Sequence, residues 1–125
     1  MSQTYKDLKV YKLAIILAGE IEKMTFTLPG TERFRYVDQI LRSSRSIAAN
    51  IAEGYGRKDY KKDFIKFLTY SKSSCDETKV HLFMIYNSKL INSITFNDLD
   101  NKCRDLSVRI YNYISVIESN DLLHR

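Results

Sequence analysis

Residues 42–64 read RSSRSIAANIAEGYGRKDYKKDF. Ile47 and Ile51 lie one turn apart, with Ser44 and Ala48 beside them. This is the spacing of one helical face rather than the alternation of a strand. Gly54-Tyr55-Gly56 then interrupts the pattern, and a lysine-rich segment restarts it. The stretch therefore reads as the end of one helix, a corner and the start of another.

Upstream, Val37, Ile40, Leu41, Ser44, Ile47, Ala48 and Ile51 extend the apolar stripe. Pro29-Gly30 is the clearest breaker in the chain. Thr31 is the expected cap of the helix that follows, with Glu32 in its first turn. Gly54 and Gly56 are expected to close that helix with positive φ. Downstream, a long helix from near Asp59 carries Phe64, Phe67, Leu68, Ser71, Cys75, Thr78, Leu82 and Ile85 on one face. Towards the N-terminus, Leu8, Tyr11, Ile15, Ala18 and Ile21 mark a further helix. Towards the C-terminus, Leu99, Cys103, Leu106, Ile110, Tyr113 and Ile117 mark another, with Thr95 as expected cap and Asp98 completing a capping box. No stretch sustains a period of two. Four amphipathic helices with short links predict an all-α fold, an antiparallel up-down-up-down four-helix bundle formed as one domain over residues 1–125.

The bulk properties agree with that picture. A chain of 125 residues with 44% hydrophobic and 28% charged residues buries a sizeable core. No apolar run approaches the roughly 20 residues of a membrane span. The opening MSQTYKDLKVYK is too polar for a secretion signal. Cys75 and Cys103 are far apart and form no CxxC pair, so buried thiols and a cytoplasmic setting are expected.

The net charge of +5 is unevenly spread. Residues 33–72 hold ten Lys and Arg against four acids, whereas residues 1–32 balance and residues 73–125 are slightly acidic. The basic surplus thus falls around the corner, which points to an anionic partner. Lys58, Lys62 and Lys66 are spaced i, i+4, i+8 and would line one row of the third helix, with Lys61 on an adjacent row and Arg57 and Tyr60 at the corner. Such a row neutralises phosphates without reading bases. The same lysines also read as ordinary solubilising surface, partly offset by Asp59 and Asp63. The expected nucleic-acid contacts are Arg57, Lys58, Lys61, Lys62 and Lys66, joined by Arg42 and Arg45. Opposite the apolar stripe of the second helix lie Gln39, Arg42, Ser46, Asn50 and Glu53, among small residues. This side reads either as a solvated face or as a smooth strip for a neighbouring helix or subunit.

From Gln39 to Leu68 the chain resembles the bacterial four-helix-bundle family encoded in 23S rRNA intervening sequences, sometimes labelled a ribosomal protein. The resemblance rests on Gln39, Arg42, Ser46, Ile47, Asn50, Ile51, Ala52, Glu53 and Gly54, then Arg57, Phe64, Phe67 and Leu68. Ser74 and Glu77, and the opening DLKVYKLA with Tyr11 for Trp, extend it over most of the chain. Arg45 replaces an aliphatic residue, Ser43 and Ser44 replace alanines, and Ser71 and Ser73 replace Ala and Gly. The resemblance implies a homo-oligomeric ring, typically a pentamer. Gln39, Ser46, Asn50, Glu53, Gly54 and Glu77 are then candidates for subunit or structural contacts. It also implies kinship with the accessory protein of diversity-generating retroelements, a basic pentamer that binds nucleic acid and a reverse transcriptase.

Catalytic groups are scarce. Histidines occur only at His81 and His124. Glu77 and His81 are i, i+4, but no second ligand pair has metal spacing, so a structural pairing is expected. No Arg precedes either histidine at the four-to-six-residue interval of helical RNA-cleaving domains. Gly54-Tyr55-Gly56 is too short for a phosphate loop. No enzymatic activity, cofactor or metal is expected. A protein-interaction scaffold without nucleic-acid contact is the alternative.

Overall fold

A computed structural model describes residues 3–120. Four helices follow one another: α1 (Lys9–Thr25), α2 (Asp38–Tyr55), α3 (Lys61–Asn87) and α4 (Ser93–Ser119). No strand occurs among the described residues. Cross-helix contacts set the directions. On α2 and α3, Ser43 meets Thr78, Ile47 meets Ser71 and Gly54 meets Phe64. On α3 and α4, Phe64 meets Tyr113, Cys75 meets Cys103 and Phe83 meets Phe96. Rising numbers on one helix pair with falling numbers on the next, so these neighbours run antiparallel. Arg45–Glu22 and Lys102–Glu20 tie α1 to α2 and to α4, closing the bundle.

The core draws on every helix. Ile21, Ile40, Ile47, Ile51, Leu68, Leu82, Ile85 and Ile110 are wholly buried, each worth about 1.5–3 kcal/mol of transfer free energy. The expected stripes of α2, α3 and α4 face inward, except that Phe67 is only half-buried, at the surface of α3. That of α1 is rotated by about one residue: Val10, Ala14, Leu17, Ile21 and Met24 are buried, while Ile15 is 48% exposed. The segment VYKLAIILA is apolar around most of its circumference, so periodicity alone leaves its phase undetermined.

Three helix-end expectations are corrected. Thr31 does not cap α2. It lies in a short 3-10 turn (Gly30–Glu32) followed by one π-helical turn (Arg33–Val37), and α2 continues from that without a side-chain cap. Gly54 and Gly56 both keep negative φ. Gly54 serves close approach instead: a Cβ there would stand 3.1 Å from Phe67 Cβ and 3.2 Å from the Phe64 carbonyl oxygen. The cap of α4 is Asn92, whose side chain accepts from the Thr95 amide at 2.8 Å, which makes Thr95 the third residue of that helix.

Of the serines that depart from the resembled pattern, Ser43, Ser44 and Ser71 are buried and absorbed by hydrogen bonds, while Ser73 is exposed. Ser71 Oγ donates to the Ile47 carbonyl at 2.7 Å, and Thr78 Oγ1 donates to Ser43 Oγ at 2.9 Å. Ser44 bonds back to the Leu41 carbonyl. These are the local and cross-helix partners that buried hydroxyls require.

Candidate nucleic-acid interface

The corner is built by consecutive tight turns. The amide of Arg57 donates to the Gly54 carbonyl at 2.9 Å, that of Lys58 to Tyr55 at 3.1 Å and that of Tyr60 to Arg57 at 2.8 Å. The chain reverses within five residues and α3 begins at Lys61. Lys58 therefore precedes α3 and does not share its helical row, contrary to the spacing argument. Its Nζ lies 4.2 Å from the centre of the Tyr55 ring and donates to the Tyr55 hydroxyl at 3.2 Å.

The other cations divide into three settings. Arg57 pairs with Glu53 at 3.3 Å and lies 4.8 Å from the Phe67 ring centre. Lys61 turns towards the end of α4, where Nζ donates to the Glu118 carbonyl at 3.1 Å, a favourable place for a cation. Lys62 and Lys66 are exposed and make no ion pair among the described residues. Lys66 lies 5.5 Å from the Phe67 ring centre. Phe67 is thus half-buried beneath two cations, whereas Phe64 fills the core. The exposed aromatics Tyr60 and Tyr70 border this surface, and Tyr70 meets Phe67 edge to face at 5.6 Å.

Arg42 and Arg45 stand apart, on the middle of α2. At 1.5 Å per residue they lie roughly 20 Å from the corner. Arg45 reaches α1 and pairs with Glu22 at 3.3 Å. Arg42 is exposed and has no ion pair among the described residues; it lines a recess of about 510 Å³ with Asp38, Leu41, Arg45, Ser46 and Ala49. The structure thus joins Arg57, Lys58, Lys62 and Lys66 in one region and leaves the two α2 arginines in another.

The polar strip of α2 is shared between inside and outside. Ser46 donates to Ser74 of α3, Asn50 donates to the Ser46 carbonyl at 2.9 Å, and Gly54 is covered by Phe64 and Phe67. Those three are engaged by their own chain. Gln39, Arg42, Ala49 and Glu53 remain exposed. Glu53 finds its partner one turn away in Arg57, rather than on a distant helix.

Glu77 and His81 are hydrogen-bonded at 3.0 Å. No group of three or more His, Cys, Asp or Glu is placed to hold a metal among the described residues. His124 lies outside them. Cys75 and Cys103 are free and fully buried, and Cys75 Sγ donates to the Cys103 carbonyl at 3.0 Å. The Cys75 thiol and burial push the Cys103 thiol far above its ordinary range. At the α1–α4 seam, hydrogen bonding from Glu20 raises Lys102 against the cost of desolvation. No described helix is long and apolar enough to cross a membrane.

A four-helix bundle with a basic corner is the class that this geometry defines. The chain belongs to the 23S rRNA-intervening sequence protein family, whose model matches residues 6–112. It is similar in fold to the crystal structure of a protein of unknown function from the S23 ribosomal protein family of Bacteroides thetaiotaomicron. That likeness has a TM-score of 0.76 at 24% identity and covers 84% of this chain and 97% of that one. No curated protein matches the chain.

Proposed function

We propose that this protein is a non-enzymatic, self-associating cytoplasmic helical bundle that binds nucleic-acid backbone through its α2–α3 corner. The observation that supports this most is the exposed pair Lys62 and Lys66, one turn apart and without ion pairs among the described residues, flanked by Arg57 and Lys58. Cations on one exposed face release counterions when they meet phosphates, so binding is expected with little sequence preference and strong salt dependence. A filter-retention titration tests the reading. Lys62→Glu together with Lys66→Glu should reduce RNA and DNA retention at low salt and flatten the log–log salt slope by roughly 0.7–0.9 per lost phosphate contact. Retention equal to wild type would refute it.

Self-association is supported by the outward part of the α2 strip, where Arg42 and Ala49 line a recess beside the exposed Gln39, and by the bare Ile15 and Ile16 on α1. A ring, with five copies as the resemblance implies, should appear by light scattering at micromolar protein. A monomer would end this part of the proposal.

A second reading, an accessory subunit that docks on a protein such as a reverse transcriptase, is favoured by one observation. Val80, Phe83 and Met84 leave an apolar stretch of α3 exposed, the kind of surface that marks protein contacts. Normal retention by the lysine variant, with loss of a protein partner on Phe83→Asp, would favour it.

A further inference from the structure

We propose that the corner takes nucleic acid as a single strand, with bases stacked on Tyr60 and Tyr70 and the backbone held by Lys62 and Lys66. This rests on the nucleic-acid reading above and narrows it to one substrate class.

Tyr60 is the first observation. It is 72% exposed and occupies the N-cap of α3, where it makes no side-chain capping bond. Asn, Asp, Ser or Thr there would satisfy an orphan amide and stabilise the helix. Its ring has no aromatic partner among the described residues. Neither packing nor capping accounts for a large aromatic at this position.

Tyr70 is the second. Lys62, Lys66 and Tyr70 are spaced i, i+4, i+8 on α3, so they form one row on its surface. Tyr70 is 48% exposed, and its ring orientation is set by the edge-to-face contact with Phe67 at an interplanar angle of 86°. Arg57 and Lys66 cover Phe67 in turn. The platform is therefore braced before any ligand arrives. Tyr60 and Tyr70 lie about 15 Å apart along the axis, with Lys62 and Lys66, which make no ion pair among the described residues, between them in the chain. Two aromatics thus flank two cations at this end of α3, Tyr70 on the lysine row and Tyr60 at the helix start beside Arg57 and Asp63.

Charge decides between strand types. The corner has five cations, Arg57, Lys58, Lys61, Lys62 and Lys66, against three acids, Glu53, Asp59 and Asp63. A surplus this small gives weak grip on a duplex, whose only uniform handle is phosphate. A duplex also hides the faces of its bases in its own stack. A single strand presents those faces, and aromatic stacking adds affinity that salt does not screen. The aromatics bring nothing to a duplex and much to a single strand.

Fluorescence anisotropy with a short labelled oligothymidylate, its RNA counterpart and a duplex of equal length tests this on the full chain. Tyr60→Ala together with Tyr70→Ala should weaken single-strand binding about tenfold or more while leaving duplex binding unchanged. Tyr60 is largely exposed and Tyr70 half-exposed with one ring contact, so a thermal melt of the double variant checks that the chain stays folded at the assay temperature. The chain has no tryptophan, so Tyr60→Trp supplies a sole reporter whose emission should be quenched by the oligothymidylate and not by the duplex. Unchanged single-strand binding in the double variant, or equal loss on strand and duplex, overturns the inference. If Lys62→Glu with Lys66→Glu still abolishes binding in that case, the nucleic-acid reading survives alone. If no variant alters binding of any probe, both fall.

Discussion

Gly54 shows how much one hydrogen atom can decide. The residue lies against α3, with the Phe64 carbonyl and Phe67 Cβ in reach of any added methyl. A helix interior would ordinarily gain about 1 kcal/mol from Ala over Gly. Here overpacking against backbone costs about 1–3 kcal/mol, so Gly54→Ala should lower stability by ~1 kcal/mol in urea unfolding. Gly19 sits inside α1 with nothing near its missing Cβ, and Gly19→Ala should raise stability by a similar amount. The two substitutions are chemically identical and opposite in sign. Cys103 offers a second test at this scale. Its folded-state pKa is raised, so the stability it supports is complete below its ordinary value of 9.0. Above that pH the unfolded chain ionises the thiol and the buried one cannot follow. The urea midpoint should therefore fall as pH rises past about 9, and Cys103→Ala should make the decline shallower. A pH profile identical in the variant would contradict this assignment.

Among the elements, α4 depends on a cap and α2 on packing. Asn92→Ala removes the bond to the Thr95 amide and should cost about 1 kcal/mol, whereas Thr31→Ala should be neutral because Thr31 caps nothing in α2. Thermal melts of the two variants separate these outcomes. The α2–α3 seam carries its polar groups in register: Ser43 with Thr78, Ser46 with Ser74, Ile47 with Ser71. Small side chains along α2 let α3 lie close enough for such bonds to form. Half of the smooth strip is therefore explained within one chain. The seam between α1 and α4 differs: Lys102 bridges Glu20 and Asp98. That network is partly exposed, and such pairs contribute under ~1 kcal/mol.

For the whole molecule, the cations of residues 33–72 are distributed by the fold into a corner cluster, a separate α2 pair, and Arg33, Arg35 and Lys72, each ion-paired elsewhere. If the corner is the nucleic-acid contact, Arg42→Ala should leave RNA retention within about twofold of wild type, while the Lys62–Lys66 charge reversal should not. Loss of retention in Arg42→Ala would move the contact onto α2 or show that both regions meet one strand in an assembly. The bare apolar groups on α1 and on the far half of α3 remain available to protein contacts, on surfaces away from the corner lysines.

Periodicity in the sequence was enough to determine four helices, their order, and the inward faces of α2, α3 and α4, because those helices alternate apolar and polar residues sharply. It also placed the corner and its positive charge. Tertiary structure alone decided what periodicity leaves degenerate. The phase of α1 depended on neighbours, since VYKLAIILA is apolar on nearly every side. The role of Gly54 depended on Phe64 and Phe67 arriving from another helix, and the start of α4 on which of several polar residues reached an open amide. Lys58, Lys61 and Lys62 are near-identical in the sequence. Only the folded chain turns one onto a tyrosine, one onto the end of α4 and one to solvent, because contact across helices is set by three-dimensional approach and not by spacing along one.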